Sequence, residues 1–312
     1  MHESPPAADI GELAGRRCGF IAVIGATNAG KSTLVNALVG AKVTIVSHKV
    51  QTTRSPLRGI AMSGKSQLIF IDTPGIFHPK RRLDRAMVDA AWGGAGDADT
   101  VLLLVDAAKG MDEDVERILD RLGNARGKRL LVLNKVDRVP EKDRLLSLTM
   151  ELTKRLAFDK VFMISALDGS GVADLKENLA NAVPEGPWHY PEDEVSDAPV
   201  RLLAAEITRE KIYQWLHEEL PYSTTVETTH WQEFKNGSAR IEQTIYVERD
   251  SQRSIVLGKG GQTIKRISSQ SRAELTKILE RPVHLFLFVK VREGWGQDPE
   301  RYREMGLNFP KD

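Results

Sequence analysis

Residues 18–39 read CGFIAVIGATNAGKSTLVNALV, and the architecture of the first half of the chain follows from them. The opening run is short, apolar and without polar alternation, which suits a strand covered on both faces. Gly25-Ala26-Thr27-Asn28-Ala29-Gly30-Lys31-Ser32 then fits the spacing GxxxxGK[ST], and residues 32–39 have helical character. A glycine-bounded turn between a strand and a helix lets the N–H groups of the turn and of the helix N-terminus converge on phosphate oxygens. In that setting Lys31 reaches the β and γ phosphates, and the Ser32 hydroxyl binds Mg²⁺.

Four more apolar runs follow, LIFID, TVLLLVD, RLLVLN and VFMIS, each separated by longer helical stretches up to about residue 183. The alternation predicts an α/β domain with a doubly wound, mainly parallel sheet. Gly25, Asp72, Asp106 and Asn134 stand at the ends of these runs, and the carboxyl ends of such strands are where ligands bind. At Asp72-Thr73-Pro74-Gly75 a carboxylate can hold the metal through water while the Gly75 N–H meets the γ-phosphate. Asn134-Lys135-Val136-Asp137 supplies the base reader. The paired acceptors of the Asp137 carboxylate match guanine N1–H and N2–H₂, donors that adenine does not present together. Ser165-Ala166 closes the last run, with the Ala166 N–H expected to donate to guanine O6. Each piece has a bland reading alone, an ATPase loop or an ordinary strand end. All four in this order, each at a strand terminus, point to GTP.

The 312 residues are enough for two domains. Hydrophobic residues make up 41% and charged residues 28%, which excludes disorder over the whole chain. With 44 Lys and Arg against 43 Asp and Glu, no global field calls for a nucleic acid or a membrane, so any basic surface is local. The longest uncharged apolar run has nine residues, short of the roughly 18 to 20 that span a bilayer. The first twenty residues do not read as a secretion signal. One cysteine, Cys18, allows no intrachain disulfide, fits a reducing compartment, and is read as a small apolar strand residue.

Residues 184–199, PEGPWHYPEDEVSDAP, carry four prolines and five acids and read as a linker. The expected plan is a tail over 1–17, the nucleotide domain over 18–183, the linker, and a second domain over 200–312. In that domain, helical spacing covers 200–220. β-rich stretches at 224–229 and 239–248 flank Asn236-Gly237, a hairpin signal. Helices over 251–257 and 262–280 are split by Gly258-Lys259-Gly260-Gly261, and 283–291 is a strand. The four-residue loop matches the GxxG of KH domains, where missing side chains let a nucleic-acid backbone approach closely. The order helix, strand, strand, helix, GxxG, helix, strand is that of an α+β type II KH domain. Between residues 249 and 292 ten Lys or Arg face three acids, a local +7. A solvated helix face is the bland reading of Lys265, Arg266, Arg272 and Lys277; beside the loop, RNA binding is preferred. Ile255 and Val256 either line a base-binding cleft or pack in the core.

The motifs of the first domain resemble those of small translational-type GTPases, and the whole chain from Phe20 onward resembles the Era family. The likeness runs through PEGPWHYP, AEITREKIYQWLHEELPYS, SIVLGKGGQTIKRI and VKVREGWGQDPERYREMGLNF. Gln51-Thr52-Thr53-Arg54 then resembles the first switch, whose threonine binds Mg²⁺ only in the triphosphate state; Thr53 is preferred over Thr52, and two capping threonines in a loop are the alternative. Ile76 stands where Ras-like enzymes carry the water-orienting Gln, which implies slow turnover. In related GTPases an Asn at the place of Asn28 lies near a potassium ion; a turn residue with an unusual backbone conformation is the other reading. The resemblance implies GTP and GDP with Mg²⁺, and K⁺ as a candidate. The implied catalytic set is Lys31, Thr53, Asp72, Gly75 and Asn28. The nucleotide set is Asn28, Ala29, Gly30, Lys31, Ser32, Thr33, Asn134, Lys135, Asp137, Ser165, Ala166 and Leu167. Ser32, Thr53 and Asp72 serve the metal. Ile255, Val256, Gly258, Lys259, Gly260, Gly261, Lys265 and Arg266 serve RNA. The implied partners are the 3′ end of 16S ribosomal RNA and the small ribosomal subunit, whose maturation the family assists. A cytoplasmic monomer with at most peripheral inner-membrane association is expected, and DNA is not. The competing reading is a GTPase whose C-terminal domain docks on protein or on an acidic membrane surface. His48, His78, His217 and His284 show no metal-ligand spacing, and Trp92, Trp188, Trp215, Trp231 and Trp295 are read as packing residues.

Overall fold

The computed structural model describes residues 15–310 except 48, 50, 124–126, 218 and 219, so His48 and most of the expected tail lie outside the described residues. β1 (Arg17–Ile24), β2 (Leu57–Ser63), β3 (Ser66–Asp72), β4 (Thr100–Asp106), β5 (Lys128–Asn134) and β6 (Lys160–Met163) form one sheet in the order β2-β3-β1-β4-β5-β6. All its pairings are parallel except β2 with β3. Consecutive side chains of a strand point to opposite faces, so β1 feeds two cores. Ile21 and Val23 pack with α1 (Lys31–Val39) and α5 (Val172–Ala182). Ala22 and Ile24 pack with α2 (Arg82–Gly96), α3 (Glu113–Leu122) and α4 (Lys142–Arg155). This two-sided burial is why the strands read as unbroken apolar runs. The two edge strands depart from this: β6 has no buried residue but keeps an apolar run, while β2, absent from the sequence reading, has Arg58 exposed and Gly59 inside, so neither apolar run nor alternation marks it.

The second unit comprises α6 (Val200–Trp215), β7 (Thr225–Glu233), β8 (Ala239–Val247), α7 (Asp250–Leu257), α8 (Gln262–Ile278) and β9 (Val283–Val291). Its sheet runs β7-β8-β9, with β8 and β9 parallel. Ala205 and Ile212 of α6 and Ile267 of α8 pack on Ile245 and Val247 of β8. The expected helix over 200–220 ends earlier, at Trp215, and a 3-10 turn, Leu220–Ser223, leads into β7. After β9 the chain passes through α9 (Pro299–Glu304) and returns to the first unit, where Trp295, Tyr302 and Leu307 pack on Leu83, Ala86 and Met87 of α2.

Residues 184–199 join the two units and are themselves bound along the first. Cys18 N–H donates to Pro184 O, Ile60 N–H to Val195 O, and the Trp188 indole to Lys65 O. Fully buried Gln67 holds the middle: its Oε1 accepts from His189 and Tyr190 N–H, and its Nε2 donates to Tyr190 O. Prolines stop this segment from joining the sheet as a full strand, so a side chain supplies the pairing that a ladder would have made. Gln67→Leu strands these three backbone groups and is expected to lower the unfolding free energy by about 1 to 3 kcal/mol. In urea melts and limited proteolysis the variant should unfold earlier and be cut within 184–199; parental resistance in both would show that Gln67 does not hold the strap.

Candidate functional site: a nucleotide cavity at the sheet edge and a basic loop on the second domain

The carboxyl ends of β1, β3, β4 and β5 open into a cavity of about 350 Å³. β1 sits where neighbouring connections run to opposite sides, which is where doubly wound folds leave a crevice. The turn after β1 wraps it with Thr27, Asn28, Gly30, Lys31, Ser32 and Thr33. Gly30 has φ of 100°, and a Cβ there would lie 2.3 Å from Asn134 Nδ2; only glycine lets the loop close onto β5. Asn28 also takes a left-handed conformation, φ 61°, so the turn reading of this residue holds whatever else it does. Lys31 is buried and donates to Gly25 O and Ala26 O, at 3.1 and 2.8 Å. Burial pushes its ammonium down to about 8, against the pull of Asp72.

Below the turn three oxygens meet. Ser32 Oγ donates to Asp72 Oδ2 at 2.8 Å and lies 3.0 Å from Thr53 Oγ1, which is 3.4 Å from the same carboxylate oxygen. Burial raises the Asp72 carboxyl, opposed by Ser32 and Lys31, and its Oδ1 has no hydrogen-bond partner among the described residues. One carboxylate and two hydroxyls in contact, with a buried acceptor left over, suit a small hard cation such as Mg²⁺. Thr53, not Thr52, belongs to this cluster; the Thr52 hydroxyl donates to Lys49 O. Gly75 lies against Thr27, where a Cβ would come 2.8 Å from its methyl. Ile76 turns away from the cavity into the core beneath α2, and its N–H pairs with Gly25 O.

The base end is tied by Asn134, whose Nδ2 donates to Ala29 O and whose Oδ1 accepts from Ala166 N–H, at 2.8 and 2.9 Å. The Ala166 N–H, expected to reach guanine O6, here donates to Asn134 Oδ1, and the residue lines the cavity. Exposed Leu167 is the next residue on the cavity wall. Lys135 adopts φ 63° and bridges Asn28 O and Asp106 Oδ2, the latter at 2.7 Å. Asp137 is exposed on the 3-10 turn Val136–Arg138 and lines the cavity. The sequence-derived nucleotide set lines the cavity apart from Ala29, whose methyl is in the core; Asp72 lies behind Ser32 and Thr53. Asp106 as the Lys135 partner went unrecognised, although its position at a strand end marked it.

On the second unit the GKGG loop joins α7 to α8. Gly258, Gly260 and Gly261 all have positive φ, and at Gly260 and Gly261 no atom lies within 4 Å of a would-be Cβ. Lys259, Lys265 and Arg266 are exposed, with the Arg266 guanidinium stacked 3.5 Å from the Trp215 ring centre. Ile255 is 57% exposed, whereas Val256 is fully buried in the core. Val256 is therefore a packing residue and not part of a cleft, because adjacent helical positions face about 100° apart and only one can look outward. Exposed His78, His217 and His284 join no metal-ligating cluster among the described residues.

A phosphate loop, a switch threonine beside Mg²⁺-competent oxygens and an aspartate at the base end define a GTP-binding protein, here carrying a type II KH domain. Residues 20–135 match the family described as 50S ribosome-binding GTPase, and 219–296 match the KH domain. GTPase Era of Bradyrhizobium sp. (strain ORS 278) is 64% identical over 95% of this chain and 96% of its own length, and that of Agrobacterium fabrum 61% identical over 99% and 98%. The chain belongs to the Era family of GTPases. Among solved structures, Era in complex with MgGDPNP and nucleotides 1506-1542 of 16S ribosomal RNA superposes with a TM-score of 0.88 at 36% identity, over 93% of this chain and 99% of that one. A point variant of Aquifex aeolicus Era bound to GDP.AlF4- gives 0.87 at 37%, with the same coverage.

Asn134→Ala removes the partner of two backbone groups at once, and a net loss of about 2 to 3 kcal/mol is expected in nucleotide-free urea unfolding. A variant within experimental error of the parent would mean that the phosphate loop and β5 are held together by something else.

Proposed function

We propose that this chain is a GTP-switched assembly factor that binds the 3′ end of 16S ribosomal RNA through its KH loop and assists maturation of the small ribosomal subunit. The observation that carries the reading is the meeting of Ser32, Thr53 and Asp72 beneath the phosphate loop, in a chain whose relative at 36% identity was solved with MgGDPNP and that RNA. Backbone N–H groups of residues 28–33 and the Lys31 ammonium hold the phosphates. Ser32 and Thr53 serve the metal directly and Asp72 through water. Mg²⁺, when bound, neutralises charge developing between the β and γ phosphates. Gly75 N–H meets the γ-phosphate. Ile76 is buried and cannot orient the attacking water, so turnover is slow; Asn28 sits where a potassium ion can stand in for an arginine. The stem of Lys135 flanks the base and Asp137 accepts from guanine N1–H and N2–H₂.

RNA lies over Gly258, Lys259, Gly260 and Gly261 with Lys265 and Arg266 beside it, and Ile255 offers an apolar contact to a base. A cytoplasmic monomer fits this work. No helix among the described residues is long and apolar enough to cross a membrane, so attachment to the inner membrane would be peripheral.

Asp137→Asn turns one acceptor into a donor and is expected to weaken GTP binding by about 1 to 3 kcal/mol while xanthosine triphosphate gains. Unchanged GTP affinity would remove the base-reader role. For RNA, Lys259→Asp with Gly260→Asp places negative charge where phosphates approach. The left-handed backbone at Gly260 is one that Asp tolerates, so the fold should survive. The double variant should lose binding to the single-stranded 16S 3′ end and keep GTP hydrolysis. Parental RNA affinity in a variant with a parental melting curve would overturn the RNA reading.

A further inference from the structure

The described residues of 42–54, between α1 and β2, have the nucleotide cavity on one side and the second domain on the other. The second domain grips this segment by its main chain and by the side chains of Lys42, Lys49 and Arg54. Glu210 Oε1 accepts from Val46 N–H at 2.8 Å, the Tyr213 hydroxyl donates to Gln51 O at 3.3 Å, and Arg209 donates to Thr52 O. In the other direction Arg54 reaches into the KH domain. Its guanidinium donates to Thr224 O at 2.8 Å, Pro221 O at 3.2 Å and Tyr222 O at 3.3 Å, and lies over the Trp295 ring. Arg54 is 4% exposed, and its acceptors among the described residues are carbonyls and the Tyr213 hydroxyl, with no carboxylate. A buried cation whose one counter-charge, Glu206, acts at a distance and is already paired with Arg209 is tolerated only if its donors are satisfied, so this arrangement admits little play. The residue before it is Thr53.

We propose that Arg54 is a positioning residue through which the docked KH domain holds Thr53 against Ser32 and Asp72, and so raises affinity for GTP relative to GDP. The inference rests on the reading of Thr53 as the metal ligand of the triphosphate state. A loop that must be ordered on binding subtracts its ordering entropy from the affinity. A segment whose carbonyls and arginine are already fixed does not. Linkage makes the effect mutual: GTP, by drawing Thr53 in, favours the docked arrangement of the KH domain to the same degree.

The test uses the full chain with Arg54→Ala, Arg54→Lys and Thr53→Ala. Dissociation constants are measured for GDP and for a non-hydrolysable GTP analogue, each in Mg²⁺ and in EDTA, alongside thermal melting. Arg54→Ala is expected to weaken the GTP analogue about tenfold in Mg²⁺, the size of one charge-assisted hydrogen bond lost from the hold, with GDP unchanged and no difference from the parent in EDTA. Arg54→Lys keeps the charge but not the planar fork and should fall between. A parental ratio of the two affinities, or an equal loss for both nucleotides, overturns the proposal; if Arg54→Ala does not fold, the ratio for Arg54→Lys decides in the same way. If Thr53→Ala also keeps the parental ratio, the reading of Thr53 has failed; if it loses the ratio while Arg54→Ala keeps it, only the proposal for Arg54 has.

Discussion

Three pieces of chain far apart in sequence have to meet at one end of the first sheet, and the carboxamide of Asn134 is where they do. Its amide donates to the phosphate loop at Ala29, its oxygen accepts from the loop after β6 at Ala166, and its own strand carries the turn that presents Asp137. Asn134 is 2% exposed, so neither contact competes with bulk water, and loss of either leaves a buried backbone group unpaired. Aspartate has the same shape but no donor for Ala29 O. The pocket therefore depends on a residue that need not touch the nucleotide.

The contact between the two domains combines apolar packing, Trp295, Tyr302 and Leu307 on α2 and Ile45 against Ala204 and Ile207, with a cluster of charged groups. Lys42, which precedes the switch segment, meets Glu210 of α6 and Glu274 of α8, and Lys211 meets the same two acids. Two lysines and two glutamates alternate, so each charge has opposite neighbours. Burial works against the charge on Lys211, yet Glu210 and Glu274 keep its pKa above the ordinary value, and Lys211 and Lys42 hold Glu274 below its own. Such a cluster contributes little net stability, but one member displaced leaves the other three with an uncompensated charge in a partly buried setting. An interface of this kind holds one geometry well and others poorly. Glu274 lies on the helix that begins at the GxxG loop, so the same cluster spans the switch segment and the element that presents the basic loop.

Local chemistry was written in the order of the residues. Phosphate binding needs a glycine-bounded turn between strand and helix, guanine needs a paired acceptor, and close approach of an RNA backbone needs a loop without side chains; each requirement leaves residues at fixed spacing. Strands buried on both faces leave unbroken apolar runs, so the inner four of the first sheet were legible; of the two edge strands, β6 keeps an apolar Val-Phe-Met run, whereas Arg58 and Gly59 interrupt β2. The remainder emerged once the chain was folded. That Ala166 N–H belongs to Asn134, that Val256 is core while Ile255 faces out, and that residues 184–199 are strapped down by Gln67 all turn on partners distant in the chain. The same holds for Arg54, whose acceptors lie about 170 residues away at Pro221, Tyr222 and Thr224. Spacing encodes what a segment does with its neighbours; where a side chain spends its hydrogen bonds across the fold is settled only when burial removes water as the alternative partner.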